Sequence, residues 1–154
     1  MIRAAKKEDL LQIDRLGYLF NKEIQGNSPL NQMKTGKYNV PKSPSKSAYY
    51  EYLTGPNKIF VVEEQGQIVG FVSGRILKQK EKKVEKYGKL DDLYLLKHKR
   101  GTGLASSLVE QILKWFGKNK CQYAVLFASP KKPIAKYYQK IGFETVYNYM
   151  CKKL

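Results

Sequence analysis

Lys89-Leu-Asp-Asp-Leu-Tyr-Leu-Leu-Lys-His-Lys-Arg100-Gly-Thr-Gly-Leu-Ala-Ser-Ser-Leu-Val-Glu-Gln-Ile-Leu-Lys-Trp-Phe116 is the stretch whose reading decides the fold. An apolar run, Leu93 to Leu96, meets a basic cluster, Lys97 to Arg100, and Gly101 and Gly103 follow at once. Beyond the glycines, apolar residues stand at 104, 105, 108, 109, 112, 115 and 116, the stripe of an amphipathic helix. The stretch therefore reads as strand, glycine turn and helix. Glycine lets backbone approach a ligand closely, and the first-turn N–H groups of a helix are unpaired. The helix dipole and the neighbouring cations favour a negative group, so the turn is expected to cradle a phosphate.

On the N-terminal side, Met1-Ile-Arg-Ala-Ala reads as a short edge strand, and Asp9 as a cap for a helix carrying Leu10, Leu11, Ile13, Leu16, Leu19, Phe20 and Ile24. Gln25 to Ser47 reads as a long loop of the kind that usually has a function. A short helix is expected from Pro44 or Ser45 to Leu53, stopped by Gly55-Pro56. Ile59–Glu64 and Ile68–Ile76, around Gln65-Gly66-Gln67, form a hairpin pattern. Lys78 to Lys89, dense in charge, reads as the solvated turn of a second hairpin rather than a nucleic-acid contact.

On the C-terminal side, Gly117 stands where a helix C-cap is expected, and Cys121 to Ala128 reads as a central strand reached by a right-handed parallel crossover. Ser129 to Pro133 opens a short helix that Gly142 stops, and Glu144 to Cys151 alternates as a last strand.

Composition bounds the rest. A chain of 154 residues, 42% hydrophobic, is expected to be one domain over 1–154. It has no apolar run long enough for a membrane span and no apolar signal region, so a cytoplasmic protein with no membrane partner is expected. Cys121 and Cys151 lack metal spacing and read as free thiols in a reducing compartment; no metal is implied. The net charge is +16, and residues 97–154 hold twelve Lys/Arg against only Glu110 and Glu144. Such an excess attracts polyanions without choosing among them.

Two glycine-loop chemistries can be excluded. A Walker loop needs Gly-x-x-x-x-Gly-Lys-Ser/Thr, which neither Gly101 nor Gly103 begins. A dinucleotide fingerprint needs a third glycine where Ser106 stands, and an acid that 119–128 lacks. What remains, Arg100-Gly-Thr-Gly103-Leu-Ala105, matches the coenzyme A signature Gln/Arg-x-x-Gly-x-Gly/Ala of the GNAT superfamily of N-acetyltransferases. A second string, Tyr138-Gln-Lys-Ile-Gly-Phe143, is similar to the Tyr-Glu-Lys-Leu-Gly-Phe that often ends a late helix in that family. The chain resembles the family over nearly its whole length.

The resemblance implies an α/β (α+β) fold: a mixed, mostly antiparallel sheet flanked by helices and splayed between its fourth and fifth strands, with acetyl-CoA in the opening. It places the pyrophosphate on the backbone amides of Arg100, Gly101, Thr102, Gly103, Leu104 and Ala105, with Ser106 able to donate its hydroxyl. It also sets the pantetheine along the backbone of Leu93, Tyr94 and Leu95. Lys131 stands where the family usually has an Asn near the pantetheine. Acetyl transfer to a primary amine needs the ammonium proton removed, and Asp91 and Asp92 are the acids near the strand that should floor the cleft. As strand neighbours they face opposite sides, so at most one should reach the acceptor, and similarity favours Asp91. Tyr138 falls at the family's general-acid position and would protonate the departing thiolate.

The expected activity is thus acetyl transfer from acetyl-CoA to a small amine, a polyamine or a peptide amine by direct attack. Nucleic acid is disfavoured as a partner, and a homodimer is left open. A basic nucleic-acid-binding module and a non-catalytic acyl-CoA-binding regulator are the rival readings.

Overall fold

The computed structural model describes residues 1–24, 39–128 and 133–147. Residues 129–132, Lys131 among them, residues 25–38 of the expected loop and residues 148–151 of the expected last strand lie outside them. Among the described residues, five strands form one sheet in the order β1 (Ile2–Ala4), β2 (Asn57–Glu64), β3 (Gln67–Lys78), β4 (Lys86–Leu95), β5 (Tyr123–Val125). The first four are antiparallel neighbours and β5 runs parallel to β4. One face carries α1 (Leu10–Ile24), and the other carries α2 (Leu104–Lys118) and α3 (Pro133–Lys140).

Each helix is held by its apolar stripe. Leu108, Val109, Ile112 and Phe116 of α2 are buried against Val62, Val72, Ile76 and Leu90, and each full burial is worth roughly 1.5–3 kcal/mol. Phe116 sits in a notch made by glycines: a Cβ on Gly88 would lie 2.3 Å from its ring and one on Gly74 3.0 Å. On the opposite face Leu10, Ile13 and Leu16 of α1 pack with Tyr49, Tyr52, Ile59, Val61 and Phe71.

Both hairpins form as expected. The β4–β5 pairing matters most for function. It covers only Tyr87↔Tyr123, Gly88↔Ala124 and Lys89↔Val125, whereas β4 continues to Leu95. Beyond Lys89, β4 has β3 on one side and, among the described residues, no strand on the other. This is the expected splay.

Five local expectations are corrected. Pro44 to Leu53 is two single 3-10 turns, Pro44–Lys46 and Tyr50–Leu53, because Ser47 Oγ accepts the Tyr49 N–H (3.0 Å) and interrupts a continuous helix. Gly117 lies inside α2, not at its cap; the Asn119 side chain donates to the Trp115 carbonyl (2.8 Å) and Lys120, at φ 59°, makes the left-handed exit. Asp9 accepts the Lys6 N–H (2.7 Å) within a 3-10 turn that precedes α1, and binds Arg3 through both oxygens. The run from Cys121 to Ala128 is not a central strand among the described residues, since only Tyr123–Val125 pair, at the sheet's edge, with Phe127 85% exposed. No strand is formed by 144–147. No helix among the described residues is long and apolar enough to cross a membrane.

Candidate active site

The turn before α2 has the conformation that the sequence requires. Gly101 and Gly103 have φ of 80° and 83°, a left-handed region open to glycine, and Gly103 is the helix N-cap. A Cβ at either position would meet nothing, so glycine is needed for backbone shape rather than for space. The amides of Gly101 through Ser106 have no acceptor among the described residues, while Ser107 N already bonds Gly103 O (3.0 Å). These free donors at a helix N-terminus fit a pyrophosphate.

The basic cluster contributes less than its sequence suggests. Lys99 is paired with Glu64 (2.5 Å). Arg100 donates to the Leu95 carbonyl (3.0 Å) and to Glu23 (2.9 Å), and lies over the Tyr94 ring at 5.3 Å. Its guanidinium therefore clasps the end of β4 to α1, and the anion site rests on peptide groups. Tyr94 faces the same way, its hydroxyl donating to Glu23 (2.9 Å); burial first, then that bond, pushes its pKa up to about 12. Glu23 loses by burial, but the bonds from Arg100 and Tyr94 outweigh this and hold it below the usual range. A cavity of about 680 Å³ opens beside this clasp, lined by Glu23, Tyr94, Leu96, Lys97 and the exposed His98 among others.

Along β4, Leu96 N bonds Val69 O (3.0 Å), so by strand alternation the peptide groups of Leu93 and Leu95 turn to the open side. Those are the groups available to an extended ligand, although Arg100 holds the Leu95 carbonyl. The Leu93 side chain is packed on the α2 face, and Leu104 and Ala105 begin the α2 stripe. Thr102 Oγ1 donates to Lys99 O (2.7 Å), and Ser106 is exposed at the helix entry.

Asp91 and Asp92 overturn the expectation that only one acid faces the acceptor side. The register of β4 jumps from Leu90↔Gly74 to Asp92↔Ser73, leaving Asp91 as an extra residue in a β-bulge. Alternation is broken once, and both carboxylates turn to the α1 face, where Tyr52 donates to Asp91 (3.0 Å) and Tyr49 to Asp92 (3.2 Å). Without the bulge, Asp92 would point into the apolar α2 face, where an unpaired carboxylate costs several kcal/mol. Leu90, Leu93 and Leu95 keep to that face on either side of the bulge.

The two acids differ in their surroundings. Asp91 is fully engaged: Oδ2 takes Arg75 Nε (2.7 Å) and the Tyr52 hydroxyl, and Oδ1 faces Lys89 Nζ (3.2 Å). Arg75 also bonds the Tyr52 hydroxyl, closing a ring of three groups. Asp92 has the Tyr49 bond on Oδ2 and its own N–H on Ser73 Oγ (3.2 Å), but Oδ1 has no partner among the described residues. Burial pushes its carboxyl above the usual range, the neighbouring Asp91 charge adds to this, and the Tyr49 bond offsets part of it.

Tyr138 stands on the other face, 6% exposed, ringed by Tyr137 and Phe143 at 5.6 Å each, with no partner for its hydroxyl among the described residues. Burial and then Tyr137 raise its pKa, so it keeps its proton. Gly142, at φ 97°, ends α3 and lets Phe143 N return to Tyr138 O (3.0 Å), which fixes the Tyr138 backbone. Tyr49, Tyr52, Ser73, Arg75 and Lys89 belong to no motif and were not anticipated. The one available signal was Arg75, a charge within an apolar strand that the hairpin register sets opposite Lys89. No group of three or more metal-ligating side chains occurs among the described residues.

A parallel strand pair that parts beside a glycine-opened helix N-terminus is the frame of a coenzyme A-dependent acyltransferase. A profile of the acetyltransferase (GNAT) family matches residues 28–143, and the chain belongs to that family. Its co-substrate is therefore acetyl-CoA. None of the curated protein sequences matches the chain. Among solved structures, a tetramutant of the BH1408 protein from Bacillus halodurans is similar at TM-score 0.82 and 16% identity, over 100% of this chain and 99% of that one. An aminoglycoside N-acetyltransferase, AAC(6')-Iy, in complex with CoA, aligns at TM-score 0.70 and 16% identity, covering 100% of this chain and 98% of that one. Glucosamine-6-phosphate N-acetyltransferase from Arabidopsis thaliana aligns at 0.70 and 21%, over 99% and 97%. At these identities the likeness concerns the fold.

Proposed function

We propose that this chain transfers acetyl from acetyl-CoA to a primary amine by direct attack, with Asp92 as general base and Tyr138 as general acid. Acetyl-CoA supplies the thioester carbonyl. The observation that carries the assignment is the bulge, which brings Asp92 to the α1 face with no partner for Oδ1 among the described residues and its pKa raised. An ammonium of pKa near 10 must lose a proton before its nitrogen can attack, and a carboxylate shifted upward accepts it better than an ordinary one. Asp91 is unsuited to the same task because both its oxygens are held by cations or a phenol. It positions Arg75 and Tyr52 instead. Similarity had favoured Asp91; the surroundings favour Asp92.

The amides of Gly101 to Ser106 hold the pyrophosphate, and the open-side peptide groups of Leu93 and Leu95 orient the chain that follows it. Tyr138, protonated through its burial, donates to the sulfur as the C–S bond breaks.

The test is thiol release from acetyl-CoA with a panel of primary amines. Asp92→Asn is expected to lower kcat at least about 100-fold while acetyl-CoA still raises the melting midpoint, since removing a general base costs about 10²–10⁴. Turnover by Asp92→Asn at the wild-type rate would remove Asp92 from the role. A wild-type midpoint that ignores millimolar acetyl-CoA would overturn the whole reading.

A further inference from the structure

Asp91 alone faces two cations. Asp91 is flanked by two cations, Arg75 and Lys89, and its side chain is only 10% exposed, whereas theirs are 36% and 30% exposed. Donors exceed acceptors as well. Arg75 uses Nε on Asp91 and Nη2 on Tyr52, leaving Nη1 without an acceptor among the described residues. Lys89 Nζ lies 3.2 Å from Asp91 and 5.5 Å from the Phe127 ring centre, and its ammonium carries three N–H groups. Paired strand positions set the two cations side by side, Arg75 opposite Lys89, on the face that carries Asp92. A lock for Asp91 alone would require one of them.

We propose that the acceptor amine carries an anionic group, a carboxylate or a phosphate, which Arg75 and Lys89 bind while Asp92 receives the ammonium proton. The inference rests on the N-acetyltransfer reading above. In the step, the nitrogen gives one proton to Asp92 and forms a bond to the acetyl carbon, the C–S bond breaks, and the sulfur takes a proton from Tyr138. The anionic group is unchanged. A guanidinium matches carboxylate and phosphate oxygens in a fork, and a second cation adds attraction without fixing geometry. A chain of net charge +16 also draws an anionic amine toward itself and repels a polycation.

The experiment compares matched acceptors by thiol release: 4-aminobutyrate against n-butylamine, O-phosphoethanolamine against ethanolamine, and spermidine as polycation. At least one anionic amine is expected to exceed its neutral partner in kcat/KM by about tenfold or more, the effect of a charge-assisted contact, and which pair shows it separates carboxylate from phosphate. Lys89→Gln, which removes a part-exposed cation, and Arg75→Gln should each bring that ratio toward one. Neutral amines or spermidine reacting as fast as the anionic ones would overturn the proposal, as would a ratio untouched in both variants. Turnover of neutral amines with no anionic preference leaves the transferase reading standing and removes this one. No thiol release with any amine removes both.

Discussion

The cradle from Gly101 to Ser106 is built of backbone, whereas the acid pair is built of side chains gathered from three parts of the chain. The cradle needs two left-handed glycines and the start of α2, all contiguous. The acid pair needs a bulge in β4, Arg75 from β3, and Tyr49 and Tyr52 from the turns before β2. A contiguous backbone site tolerates side-chain change. A gathered site can be retuned one residue at a time, and the proposal puts acceptor choice there.

Breaking each half separately should show this division. After Asp92→Asn, the largest effect is expected from Tyr138→Phe, which removes the acid with little change in shape: kcat should fall about 10–100-fold with acetyl-CoA affinity unchanged, by steady-state kinetics and calorimetry. Gly103→Val should do the reverse, weakening acetyl-CoA about tenfold, because a left-handed non-glycine residue costs roughly 1–2 kcal/mol; unchanged affinity would mean that the turn's shape is not what binds. Gly88→Ala strikes the frame common to both halves. Its Cβ would collide with the Phe116 ring, and the expected loss is about 1–3 kcal/mol in denaturant unfolding. Gly88→Ala with Phe116→Leu should recover part of it.

The smallest effect is a shift in pH dependence. Asp92 is raised by burial and then by the Asp91 charge. Asp91→Asn removes that charge and frees Arg75 and Lys89, and both changes lower the Asp92 pKa, so the acidic limb of kcat/KM should move to lower pH. A limb that moves upward would contradict the assignment of Asp92. The raised value has a sign for stability too: its contribution is complete below the ordinary carboxylate pKa and fades as pH rises through the folded one.

The cradle was legible because its requirements are local: glycine spacing, the α2 stripe and the Tyr138 string can each be read within a few residues. The two hairpins were legible for the same reason. The acid pair was legible only as two acids. Its geometry depends on a bulge, and nothing in Leu90-Asp-Asp-Leu93 alone says which acid is the extra residue; cross-strand register decides. Cys121 to Ala128 misled because an apolar run signals burial without saying by what. Arg100 misled differently: its amide, expected on the pyrophosphate, donates to the Lys97 carbonyl (3.2 Å), and Glu23, far away in sequence, holds its guanidinium.

The bulge also separates chemistry from packing. Gly88, Leu90, Leu93 and Leu95 keep to the α2 face only because one residue between them is extra. Deleting a single codon at the Asp-Asp pair would give unbroken alternation, with the same apolar residues against α2 and one carboxylate fewer on the other face. In this strand the extra residue is Asp91, an acid that the core never has to accommodate, so a charge beside Asp92 can be gained or lost by indel without rewriting the hydrophobic pattern.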